Sequence, residues 1–276
     1  MHFAAYLEEL LARRPRRPAR ELNLIVLERA DSTNLLARRI VAEYEREESL
    51  APPALILAFE QTGGIGRQGR SWASPPGKGV YATLGLQLRP AAALPTLPLL
   101  AGVGLCRALA PYLAAPCRLK WPNDVRVGGR KVGGVLAESR VRAAAESRLR
   151  LAEEGGGGEA TAIVGFGVNL AHGREDLPVG VGTSLTLEGG GDVSLPELTW
   201  ALVDGVLAEL ADFGDVAAAV ARYRAASEHV EGDRLRCRTE AAEIEGTFRG
   251  FDEVGRLCLE VDGEERRLAA GEVLAP

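Results

Sequence analysis

Lysine is almost missing from this chain. Of 33 basic residues in 276, only Lys78, Lys120 and Lys131 are lysines, and arginine does the rest. Histidine is nearly as scarce, with His2, His172 and His229 alone. The four cysteines, Cys106, Cys117, Cys237 and Cys258, are scattered without a C-x-x-C pair. That spacing excludes a disulfide framework and an ordinary zinc site. It also leaves no Ser-His-Asp or Cys-His constellation, so any catalysis here must proceed without an obvious general base. No apolar run approaches 18 residues and no signal-peptide pattern opens the chain, which predicts a cytoplasmic protein without a membrane partner. A net charge of −5 and a pI near 5.5 argue against a dedicated nucleic-acid binder. Small molecules or another protein are the expected partners.

Glycine, by contrast, is abundant and concentrated. The stretch EQTGGIGRQGRSWASPPGKGVYATLGL, from Glu60 to Leu86, sets Gly63, Gly64, Gly66 and Gly69 around Arg67 and Arg70 before an apolar strand. Backbone N–H groups in such a loop approach an anion closely, and two guanidiniums can close over it. It is neither familiar nucleotide loop: GxxxxGK[ST] is absent, and the GxGxxG from Gly64 to Gly69 runs into a Pro-Pro turn and a strand where a helix is required. A mobile surface loop with two solvated arginines would read the same way when taken alone.

A second stretch, KWPNDVRVGGRKVGGVLAES from Lys120 to Ser139, joins a short strand, a Pro-Asn-Asp turn and a hairpin over Gly128 and Gly129. Two of the three lysines, Lys120 and Lys131, stand in it. Where arginine presents a broad planar fork, lysine places a compact charge on a slim stem, as a crowded site around one phosphate would demand.

Together the motifs resemble the biotin protein ligase family. GRxGRxWxSPxGxGxY runs from Gly66 to Tyr81, KWPND from Lys120 to Asp124, RKxGG from Arg130 to Gly134 and GxGxN from Gly165 to Asn169. An Asp-Ser-Thr-Asn run, Asp31 to Asn34, occupies the place of the family's first substrate-contacting turn. The resemblance spans roughly Leu22 to the C-terminus and implies an α+β fold. A mixed sheet flanked by helices, of the class II synthetase-like kind, would be followed by a small SH3-like β-barrel. It divides the chain into an N-terminal helix and basic linker (1–21), a catalytic biotin- and ATP-binding domain (22–228) and the barrel (229–276).

The implied substrates are biotin and ATP with Mg2+, and the implied partner is the biotin carrier domain of acetyl-CoA carboxylase or a related carboxylase. A homodimer is left open. The biotin carboxylate would attack the α-phosphorus, pyrophosphate would leave, and a carrier lysine would then take the acyl group from biotinyl-AMP. For biotin the resemblance points to Ser32, Thr33, Asn34, Gln61, Gly64, Ile65, Gly66, Arg67, Lys131, Gly133 and Gly134. Gln61 suits a ureido group on its own chemistry, since an amide donates and accepts at once. For ATP it points to Arg67, Arg70, Trp72, Lys120, Asn123, Lys131 and Asn169, with Trp72 as a flat wall for adenine and Asn169 reading adenine or a phosphate. Lys131, Arg67, Arg70 and Asp124 are the expected catalytic set, Asp124 orienting Lys131 or the attacking lysine. No protein-built metal site is visible. One departure stands out: Ile65 replaces an arginine usual in the family's loop, which predicts weaker retention of the adenylate.

Periodicity supplies the elements around these motifs. Residues 3–14 read as a helix before the proline-broken RRPRRPAR, too little for a helix-turn-helix. LNLIVLE, ALILAFEQ and VYATLGLQLRP read as strands, and Asp31 or Ser32 as the cap of the helix between the first two. Thr96 to Ala110 reads as an apolar helix with Thr96 as cap and Cys106 in the core. Residues 142–159 read as a hairpin extension or insertion, Ser194 to Ser227 as two helices with Trp200 in the core, and the tail as alternating strands of a small closed barrel. The rivals are a lipoate or octanoate ligase of the same superfamily and a non-catalytic biotin sensor.

Overall fold

The computed structural model describes residues 1–15, 22–49, 51–141, 160–190 and 192–274. The expected reading of 142–159 lies outside the described residues. Helix α1 (Phe3–Ala12) is followed by β1 (Asn23–Ala30), α2 (Thr33–Arg46), β2 (Ala54–Gln61) and β3 (Gly79–Leu88). Then come α3 (Leu97–Leu109), β4 (Cys117–Lys120), β5 (Asp124–Val127), β6 (Arg130–Val141) and β7 (Ala160–Asn169). Helices α4 (Leu195–Leu210) and α5 (Val216–Ala226) precede β8 (Arg234–Arg238), β9 (Glu243–Phe251), β10 (Leu257–Val261), β11 (Glu264–Leu268) and β12 (Glu272–Val273).

Strands β1 to β7 form one seven-stranded sheet in the order β1-β2-β3-β7-β6-β5-β4. Only β1 and β2 run parallel, with α2 as their crossover; the remaining neighbours pair antiparallel. This is the mixed sheet the motifs implied. Near-continuous apolar runs such as ALILAF of β2 are buried on both sides because helices cover both faces. One face carries α2, whose Ala37 and Val41 pack on Ile56 and Ile163. The other carries α3, with α4 and α5 packed beyond it.

Helix α3 is apolar except for Arg107 because most of its surface is enclosed. The stretch Ala91–Tyr112 is long and apolar enough to cross a membrane by length and composition, contrary to the sequence expectation, but 67% of its most apolar window is buried inside the protein. A fully enclosed core helix meets the same criterion. Its crossing with α4 is tight: a Cβ on Gly104 would lie 2.6 Å from the Gly205 carbonyl oxygen, so neither helix tolerates a side chain there. Helix α1 joins this core through Tyr6 and Leu10, and the Trp200 indole N–H donates to the Leu10 carbonyl at 2.9 Å.

Two capping expectations fail. Ser32 and Thr96 occupy the positions before α2 and α3, yet neither side chain makes a cap bond. The Thr96 hydroxyl instead donates to the Ala93 carbonyl at 2.8 Å, closing the preceding turn. Asp31 is spent on the Ser32 N–H and on a pair with Arg39. Ser32 is therefore buried with its hydroxyl free for another partner.

The tail forms a five-stranded antiparallel sheet in the order β11-β10-β9-β8-β12, in keeping with an SH3-like domain. The end strands β11 and β12 do not pair with one another, so closure into a barrel is not seen among the described residues. Short strand β12, paired to β8 through Glu272 and Val273, runs directly against the glycine-rich loop of the larger sheet.

His229 sits at this junction, its Nε2 accepting the Trp121 backbone N–H at 3.0 Å. Burial, followed by the charge of Lys120, pushes its pKa down from 6.5 to about 4. A depressed histidine contributes stability that is complete above pH 6.5 and is lost as pH falls toward 4, where the ring must take a proton and give up its acceptor role. Thermal melting across pH 7 to 4 is expected to fall more steeply for the parent than for His229→Gln. Parallel curves would show that this ring carries no linkage.

Candidate functional site

The residues singled out from separate motifs meet around one cavity of about 230 Å³. Its walls come from a helix start, strand ends, the glycine-rich loop and the body of β7. The N-terminus of α2 supplies Ser32, Thr33 and Asn34, and the end of β2 supplies Gln61. The glycine-rich loop contributes Ile65 to Gln68 and Arg70 to Trp72, the β4–β5 turn Lys120 to Asp124, and β6 Lys131 and Gly134. Gly165 to Gly167 of β7 form the floor.

One end of this cavity is polar and uncharged. Ser32, Thr33 and Asn34 are 2–5% exposed, and the Thr33 N–H donates to Gln61 Oε1 at 2.9 Å. Gln61 is held from its other side, its Nε2 donating to Ser74 Oγ at 2.8 Å. Hydroxyls and amides in such a setting match a neutral ligand group carrying both donors and acceptors.

The other end is cationic. Lys131 Nζ lies 2.5 Å from Asp124 Oδ1 and 5.4 Å from the centre of the Trp72 ring. The carboxylate aims the ammonium and the ring face adds cation–π attraction. Lys120, half-buried, has its pKa lowered by burial and then by the charge of Arg126. The two arginines of the loop differ. Arg67 donates to the Gly271 carbonyl at 3.0 Å and approaches Asn123 Oδ1 at 3.4 Å, and burial lowers its pKa. Arg70 is clamped by both oxygens of Glu272, which raises its pKa and lowers that of the carboxylate. A partly desolvated guanidinium held by carbonyl oxygens alone favours an incoming anion; one already paired does not.

The glycines of GxGxN explain themselves here. A Cβ on Gly165 would lie 1.8 Å from Asn34 Oδ1, and one on Gly167 would lie 2.5 Å from Trp72 Nε1. Two flat side chains from distant motifs thus lie directly on the β7 backbone. The Trp72 indole N–H is buried without a partner and remains available to a ligand.

Three of the expected residues lie elsewhere. Asn169 does not line this cavity: its amide donates to the Thr183 carbonyl at 2.9 Å, since the buried oxygen of the returning segment must be satisfied. It borders an adjoining pocket of about 320 Å³ beyond Trp72 instead. Gly64 braces the loop, its carbonyl accepting the Trp72 N–H at 2.8 Å. Gly133 lets β6 approach β7, where a Cβ would meet the Gly167 carbonyl oxygen at 2.8 Å. Conversely, Pro178, Gly271 and Glu272 line the cavity and had no signal in the sequence. Alternation in the tail identified strands there, but nothing in it marked which strand end would reach another domain.

Fold and cavity together fit an enzyme class that works by positioning and charge, with no cysteine or histidine side chain lining the cavity. The comparisons agree. A family model described as the biotin/lipoate A/B protein ligase family matches residues 26–150, and one described as the biotin protein ligase C-terminal domain matches 233–274. The biotin–acetyl-CoA-carboxylase ligase of Paracoccus denitrificans is 33% identical over 260 residues, covering 90% of this chain and 98% of its own. The corresponding ligase of Mycobacterium tuberculosis is 28% identical over 230 residues, covering 80% and 78%. Among solved structures, the biotin protein ligase from Aquifex aeolicus in complex with biotin and ATP superposes with a TM-score of 0.70 at 25% identity, covering 91% of this chain and 97% of that one. This chain belongs to the biotin protein ligase family.

Ile65 lines the cavity, at the loop position where the motif resemblance led to an arginine being expected. Ile65→Arg is expected to slow release of the enzyme-bound adenylate several-fold, read by rapid gel filtration of enzyme loaded with labelled intermediate. No slowing would show that the missing charge has no part in retention.

Proposed function

We propose that this protein joins biotin to ATP as biotinyl-5'-AMP and passes the biotinyl group to a lysine of a carboxylase's biotin carrier domain. The observation that carries this reading is the two-ended cavity. A hydroxyl and amide cluster at Ser32, Thr33 and Gln61 faces Lys131 and Arg67 across the β7 floor, matching a molecule with a neutral ring at one end and a carboxylate at the other.

The chemistry needs no enzymic nucleophile. The biotin carboxylate attacks the α-phosphorus, the bond to the bridging oxygen breaks, and pyrophosphate departs with its electron pair. The amine of the acceptor lysine then adds to the acyl carbon of the mixed anhydride, loses a proton, and AMP leaves. Both steps crowd negative charge near Lys131 and Arg67, and charge held in place before the reaction lowers such barriers most. Asp124, at 2.5 Å, keeps the Lys131 ammonium aimed, and in this reading the incoming amine's proton passes to it. Trp72 offers a flat wall for the adenine. The residues do not fit a protein-built magnesium site: the carboxylates lining the cavity, Asp124 and Glu272, are paired with Lys131 and Arg70, and among the described residues no three His, Cys, Asp or Glu cluster as ligands.

The direct test is incubation with biotin, ATP, magnesium and a biotin carrier domain, followed by mass measurement of the carrier. A gain of one biotinyl group that depends on ATP is the expected result. Thermal protection by lipoate but not biotin, or biotin binding without pyrophosphate release, would overturn the reading.

A further inference from the structure

Thr83 was not singled out by any motif, and it does not line the cavity. It is 0% exposed in the middle of β3, with its hydroxyl 2.7 Å from Asn34 Oδ1 and 2.8 Å from Thr33 Oγ1. The Asn34 amide cannot turn over. Its Nδ2 donates to the Leu136 carbonyl at 3.2 Å and to Glu138 Oε1 at 3.2 Å. Glu138 is fixed in turn by Arg38, at 2.6 and 2.8 Å.

Proton counting then settles the direction of the relay. Asn34 Oδ1 has no proton to give, so the single Thr83 proton goes to it. The Thr33 proton must occupy the contact with Thr83, because otherwise two oxygens would face each other at 2.8 Å with nothing between them. The other acceptor in reach, Gln61 Oε1, stands at 3.2 Å, long for a hydroxyl donor, so the shorter contact at 2.8 Å takes the proton. With its proton committed, Thr33 Oγ1 can only accept from whatever enters the cavity.

Resting on the biotin reading above, we propose that Thr83 is a positioning residue that makes Thr33 Oγ1 an obligate acceptor, so that this end of the cavity selects a ring N–H donor such as that of a cyclic urea. A sulfur ring without N–H, as in lipoate, leaves that acceptor unpaired and is rejected, because a buried polar group without its partner is costly.

A double-mutant cycle tests this. Thr83→Val keeps the shape and removes the hydroxyl, freeing the Thr33 proton; KM for biotin is expected to rise about tenfold or more. KM for ATP and kcat at saturating biotin should hold within about twofold, and Thr83→Ser should restore the parent value. Thr33→Val should raise KM for biotin comparably, and Thr83→Val should add less than about twofold in that background, since its effect passes through Thr33. An unchanged KM for biotin in Thr83→Val, effects that multiply in the double variant, or a joint rise of both KM values would each overturn the proposal. Should Thr83→Val not fold, Thr83→Ala is read in the same cycle by the same criteria. A parent protein that fails to bind biotin refutes the ligase reading, whereas a parent that binds it beside an unaffected Thr83→Val refutes this relay alone.

Discussion

Lys131→Ala is expected to slow adenylate formation by roughly a hundredfold, the loss of about 3 kcal/mol from removing one pre-placed charge-assisted donor. Pyrophosphate exchange in the presence of biotin measures it. The geometry makes the effect specific to lysine. Its ammonium is reached through the slot between Asp124 and the Trp72 ring, 2.5 Å from the carboxylate oxygen and 5.4 Å from the ring centre. Lys131→Arg keeps the charge but brings a wider head to that slot, so it should recover only part of the rate. An alanine variant as fast as the parent would remove the central residue of the account.

The second large effect separates the two arginines of the glycine-rich loop. Arg67→Ala is expected to lower adenylate formation on the order of a hundredfold, whereas Arg70→Ala should cost no more than about fivefold. Arg67 is partly desolvated and has backbone and amide oxygens for company, so its charge is available to a phosphate or a carboxylate. Arg70 already spends its fork on Glu272, and that pair, with side chains 53% and 30% exposed, is worth about 1 kcal/mol at most. Glu272→Gln should therefore resemble Arg70→Ala, and the two together should be little worse than either. A larger loss at Arg70 than at Arg67 would reverse the assignment.

These contrasts were not visible in the motifs, where Arg67 and Arg70 look equivalent. What separates them is β12, a two-residue strand more than two hundred positions downstream that delivers the Gly271 carbonyl to one guanidinium and the Glu272 carboxylate to the other. Asn169 shows the same limit from the other side. A motif can specify that an amide stands after a strand, but which buried carbonyl claims it depends on how the following segment returns.

The sequence alone determined the order of strands and helices, because alternating and helical spacings of apolar residues report which local conformation hides them from water. It also determined the chemistry available: few lysines, no histidine or cysteine poised as a nucleophile, and glycines and arginines gathered in one loop. Tertiary structure decided the rest. It alone put Asn34 on Gly165 and Trp72 on Gly167, linked Thr33 through Thr83 to Asn34, and tied the C-terminal sheet to the loop. Contacts of that kind join residues far apart in the chain, and they arise only when the whole core has closed around them.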